Sequence, residues 1–189
     1  MNFLAHIYLS GDDDLLKIGN FIADTVRGKQ YLDYPQAMQQ GILLHRKIDS
    51  FTDQHAVFRK SKKRLVNDFG HYSGVIVDIF YDYFLAKNWE LYSDISLNAY
   101  VTDFYKLLLQ YKHLLNERAN YLISYMIREN WLESYQTIQG IGKILYQMDS
   151  RTQFRSKMQF ATEVLQRDEK AFEEDFFTFF SDMKSSLTI

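Results

Sequence analysis

Residues 41–53 read GILLHRKIDSFTD, and their spacing predicts an amphipathic helix. Each helical residue turns the chain by about 100°, which places Met38, Ile42, His45, Asp49 and Asp53 on one stripe. His45, Asp49 and Asp53 are spaced i, i+4, i+8, so their side chains stack along one face. The neighbours on that face are apolar, while Arg46 and Lys47 point elsewhere. Polar groups in an apolar stripe are costly unless they are paired, hydrogen-bonded or bound to a metal. The stretch therefore predicts a site inside a helical protein.

Working toward the N-terminus, Pro35 opens the same helix at a position proline tolerates. Before it, Leu15, Ile18, Ile22 and Val26 form the apolar face of a helix. That helix starts at the acidic turn Asp12–Asp14, runs to about Val26 and closes at Arg27-Gly28-Lys29. Asp24 lies nearly opposite its apolar face and reads as solvent-exposed. Residues 2–9, NFLAHIYL, predict a buried N-terminal helix carrying His6.

Toward the C-terminus, His55–Asp68 predicts a further amphipathic helix. It holds Arg59, Lys60, Lys62, Lys63 and Arg64, five cations in six residues of a chain whose net charge is -2. Gly70 and Gly74 then flank His71. Residues 75–86, VIVDIFYDYFLA, are too long and too irregular in alternation for a strand. As a helix the segment is apolar on every side, which implies deep burial. Asp78 and Asp82 sit at i, i+4 within it, with no Lys or Arg between them. Further helices are expected at about 96–112, 117–135, 139–149 and 153–181, with a tail frayed from Ser185. The last carries Phe172, Phe176, Phe177, Phe179 and Phe180.

Composition sets the outer limits. One proline and 8 glycines in 189 residues favour long helices over an all-β fold. Hydrophobic residues at 47% can fill the core of one domain, and the near-balanced charge argues against a nucleic-acid partner. The absence of cysteine removes disulfides, thiolate metal sites and a Cys nucleophile. MNFLAHIYLS lacks the basic n-region and cleavage site of a signal peptide, and no apolar run is long enough for a membrane span. A cytoplasmic protein with no membrane contact is expected.

Two helices thus supply one His and four Asp, a ligand mix suited to Mn²⁺, Fe²⁺ or Zn²⁺. Plainer readings stand beside this one. His45, Asp49 and Asp53 could form a solvated helix end, Asp78 and Asp82 could be satisfied core polars, and residues 59–64 could be a solvated face.

Several segments taken together resemble a known family. MNFLAHIYLS, IGNFIADTVRGK, YPQAMQQGILLHRKIDSFTDQH, FRKSKKRL, HYSGVIVDIFYDYFLAKNW and GIGKILYQMDSR are similar, in this order, to the bacterial acyl carrier protein phosphodiesterases, a divergent branch of the HD phosphohydrolases. The resemblance implies an all-α, single-domain helical bundle, HD-domain-like, with a divalent metal, typically Mn²⁺. It implies hydrolysis of the 4′-phosphopantetheine–serine linkage of holo-acyl carrier protein. HD proteins carry an adjacent His-Asp dipeptide, and this sequence has none. The resemblance suggests that His45 and Asp49 replace it, with His6 as the earlier histidine and Asp78 or Asp82 as the later aspartate. On this basis His6, His45, Asp49 and Asp78 are the expected metal ligands. Asp24 and Asp82 are further ligands or catalytic carboxylates, and His71 is the candidate general acid. Arg27, Lys29, Arg59, Lys62 and Lys63 would meet the acidic carrier protein. Two other functions fit the pattern: a hydrolase of nucleotides or small phosphoesters, and a non-enzymatic helical module that binds an acidic partner.

Overall fold

A computed structural model describes residues 1–188. They form α1 (Phe3–Tyr8), α2 (Asp14–Ile22), α3 (Gln36–Gln54), α4 (Ala56–Phe69), α5 (Ser73–Lys87), α6 (Leu97–Gln110), α7 (Glu117–Arg128), α8 (Trp131–Ser134), α9 (Ile138–Arg151) and α10 (Ala161–Leu187). Among the described residues there is no strand, and the fold is all-α. Nor is any of these helices long and apolar enough to cross a membrane.

α5 is the central helix. Ile76, Val77, Ile79 and every residue from Phe80 to Ala86 are buried, as an all-round apolar surface requires. It packs against α1, α4, α9 and α10. From α10, Phe172, Phe176, Phe179 and Phe180 are buried against it. The Tyr81 ring lies 5.2 Å from Phe179 and 5.8 Å from Phe176. Each such ring contributes about 1.5–3 kcal/mol by leaving water, so this face anchors α5 and the helices it carries.

α2 and α3 approach backbone to backbone, because glycines meet at their crossing. A Cβ on Gly19 would lie 2.2 Å from the Met38 carbonyl oxygen, and one on Gly41 would lie 2.1 Å from that of Leu16. Only glycine fits at such a separation. The closeness brings His45, one turn beyond Gly41, onto the backbone of α2.

Several boundaries differ from the sequence expectation. α2 ends at Ile22, and Ala23–Thr25 form a 3₁₀ turn. The helix expected over 117–135 breaks at Asn130, whose φ is 47°. The helix expected from 153 begins at Ala161 and reaches Leu187, so the tail beyond Ser185 is largely helical. Residues 152–157 are instead a loop, with Gln153, Phe154 and Lys157 at positive φ. Asp149 holds it, accepting Ser156 Oγ at 2.6 Å and the Gln159 N–H at 3.3 Å.

Candidate metal centre

α1, α2 and α3 converge on one cluster. His6 comes from α1, and His45 and Asp49 from successive turns of α3. The two imidazoles stack with centroids 4.0 Å apart. Asp49 serves both: Oδ1 is 3.3 Å from His6 Nε2, and Oδ2 is 3.1 Å from His45 Nε2. One ligand atom from each of the three residues lies within 4.8 Å of the others. Asp24, on the 3₁₀ turn after α2, places Oδ1 3.4 Å from His45 Nε2. The cluster opens into a cavity of about 320 Å³ whose walls include Phe3, Asp24, Asp53, Val75 and Asp78.

The electrostatics fit a cation. Burial lowers the His6 pKa to about 4 against the pull of Asp49, so this ring is neutral at pH 7. Its Nε2 is buried without a hydrogen-bond partner, although a carboxylate oxygen lies beside it. A lone pair facing a carboxylate is costly unless a proton or a metal ion lies between them. Burial would also lower His45, but hydrogen bonds to Asp24 and Asp49 outweigh it and raise the pKa to about 9. Burial opposes the charge on Asp49, yet the hydrogen bond from His45 holds its carboxyl far below the usual range. The hydrogen bond from His45 likewise lowers Asp24. Two imidazole nitrogens and a carboxylate form a donor set for Mn²⁺, Fe²⁺ or Zn²⁺, whose ligands sit about 2.0–2.2 Å from the ion.

The other expected site residues stand outside this cluster. Asp78 lines the same cavity, but its Oδ1 binds the buried N-terminal ammonium of Met1 at 2.6 Å. Asp82, one turn further into the core, is fully buried. It accepts the N–H groups of Asn2 at 3.2 Å, Leu4 at 2.7 Å and Ala5 at 3.3 Å. That is a helix cap supplied from another helix, which satisfies the donors at the start of α1. His71 sits on the 3₁₀ turn Gly70–Tyr72, exposed, with its ring 3.9 Å from Tyr72 and outside the cavity lining.

The basic stretch of α4 divides in two. Lys60 and Arg64 both bind the buried Asp175 of α10, with Lys60 at 2.9 Å, and so strap the two helices together. Arg59 is exposed and donates Nε to the Asp53 carbonyl at 3.0 Å, on the cavity rim. Lys63 is exposed and Lys62 half-buried. Arg27 and Lys29, three and five residues after Asp24, are exposed. Arg46 pins their loop by donating to the Gly28 carbonyl at 2.8 Å and lying over Tyr31.

Asn20 escaped the sequence reading. It is fully buried and touches both imidazoles. The available signal was an amide within the apolar run Ile18–Ile22, four residues before Asp24.

Residues 1–183 match the family model described as acyl carrier protein phosphodiesterase. A protein of Yersinia pestis named acyl carrier protein phosphodiesterase is 28% identical over 184 residues, covering 97% of this chain and 95% of its own. One of that name from Serratia proteamaculans (strain 568) is 29% identical over 184 residues, with the same coverage. Another from Klebsiella pneumoniae (strain 342) is 33% identical over 152 residues, covering 80% of this chain and 79% of its own. No solved structure gives a significant match. With the match running from α1 through nearly all of α10, this chain belongs to the acyl carrier protein phosphodiesterase family.

Proposed function

We propose that this chain hydrolyses the phosphodiester joining 4′-phosphopantetheine to the serine of holo-acyl carrier protein, giving the apo protein and free 4′-phosphopantetheine in the cytoplasm. The observation that carries the proposal is the His6–His45–Asp49 cluster at the base of an open cavity, in a chain matching the family over residues 1–183. His6 Nε2, His45 Nε2 and the Asp49 carboxylate would hold the cation, with Asp78 as a further oxygen donor facing the same cavity. A divalent ion such as Mn²⁺ supplies charge neutralisation of the phosphate and a water of lowered pKa.

The remaining steps fall to the chain's own groups. Asp24 is exposed at the cavity and touches the cluster through His45. Its carboxylate would take the proton of the attacking water and return it to the departing serine oxygen. His71 and Asp82, which stand outside the cluster, are given no chemical step. Arg59, bound to the Asp53 carbonyl at the rim, and the exposed Arg27 and Lys29 would meet acidic groups of the carrier protein, with Lys62 and Lys63 extending the basic face along α4.

The test is incubation of the full chain with holo-acyl carrier protein, with and without Mn²⁺, followed by intact-mass analysis. The proposal predicts Mn²⁺-dependent loss of the whole phosphopantetheine arm. An unchanged holo mass, alongside turnover of free nucleotides, would favour a small-phosphoester hydrolase instead.

A further inference from the structure

Asn20 of α2 is 0% exposed, and each polar atom of its side chain has a partner. Nδ2 donates to the His6 carbonyl oxygen and to Ser10 Oγ, both at 2.9 Å. Ser10 Oγ itself donates to the same His6 carbonyl at 2.8 Å, which leaves it as the acceptor toward Asn20. A carbonyl can only accept, so the amide nitrogen must face this side and Oδ1 must face the other. On that other side Oδ1 lies 2.9 Å from His6 Nδ1 and 3.1 Å from His45 Nδ1. The backbone oxygen of Asn20 lies 2.8 Å from His45 Nδ1. All these oxygens are acceptors only, so both Nδ1 atoms must carry hydrogen. Their Nε2 atoms then face Asp49.

We infer that Asn20 is a positioning residue, which locks His6 and His45 together as Nδ1–H tautomers and so aims both Nε2 lone pairs at one point beside Asp49. The oxygen partner on the far nitrogen fixes the tautomer and orientation of a metal-binding imidazole. Here one residue does this for two rings, using its side chain for both and its backbone for one. The glycine-mediated contact of α2 with α3 makes the backbone contact possible. This inference rests on the metal-site reading. Its first readout needs neither metal nor substrate, so it can fail while the proposed reaction stands, and the reverse.

The experiment uses the full chain, metal-free and with ¹⁵N-labelled histidine, at alkaline pH where both rings are neutral. Long-range ¹H–¹⁵N spectra should show Nδ1–H and unprotonated Nε2 for His6 and His45 in the wild type. An Nε2–H tautomer at either ring would overturn the inference without any variant. Asn20→Ala should shift His6 toward the Nε2–H form and weaken Mn²⁺ binding by roughly 10–100-fold. Asn20→Asp keeps the acceptor and should retain the wild-type tautomers. A folded Asn20→Ala protein with unchanged tautomers and unchanged Mn²⁺ affinity would also overturn it.

Discussion

Asp49→Ala should lower kcat/KM on holo-acyl carrier protein by roughly 10³-fold, a loss of about 4 kcal/mol in transition-state stabilisation. One carboxylate serves both imidazoles, with an oxygen 3.3 Å from His6 Nε2 and the other 3.1 Å from His45 Nε2. Removing it takes away the one carboxylate in contact with both rings and leaves two neutral nitrogens as the rest of the cluster. Because its side chain is 47% exposed, folding should suffer little, with Tm falling by only a few degrees, about 1 kcal/mol. Calorimetric titration separates the two effects: Mn²⁺ binding should collapse while the melting transition stays cooperative. The wild-type titration carries a sign as well. His45 holds a proton up to about pH 9, and binding at Nε2 must release it. Affinity should therefore rise from pH 6 to pH 8. Binding that is independent of pH would mean that His45 is not a ligand.

Asp82→Ala should do the reverse, striking stability first. The carboxylate accepts three backbone N–H groups at the start of α1, and alanine would leave them buried without partners. At about 1–3 kcal/mol for a buried unsatisfied donor, partly relieved by relaxation, the net loss should be about 3 kcal/mol. For a chain of this size that is about 10 °C in Tm. Because α1 carries His6, Mn²⁺ affinity should fall along with the fold. A thermal shift below about 1 kcal/mol, with activity lost, would instead give Asp82 a direct chemical role.

Asp49 and Asp82 look alike in sequence. Each belongs to an aspartate pair spaced i, i+4 on an apolar helix. They part company because α1 delivers its N–H groups to one and its imidazole to the other, and a long-range crossing has no local signature. The stripe Met38–Ile42–His45–Asp49 was legible because helical periodicity alone sets it. So was the depth of α5, from its apolar run. Asp24 reads as exposed and is exposed, yet its link to His45 depends on α2 ending at Ile22. The tighter 3₁₀ turn that follows re-aims the side chain. Asn20 was hidden for a similar reason, since its value lies in a backbone approach permitted by Gly19 and Gly41. The loop at 152–157 had no glycine to announce its positive φ values, and a buried aspartate holds it instead. Asp78 was expected at the heart of the cluster. It faces the cavity, while its carboxylate is engaged by the ammonium of Met1.

The most direct measurement is anomalous diffraction from crystals of the chain grown with Mn²⁺. A single strong peak about 2.2 Å from His6 Nε2, His45 Nε2 and an Asp49 oxygen is the predicted result. Crystals that bind Mn²⁺ only elsewhere, with those three side chains left in contact with one another, would contradict the account.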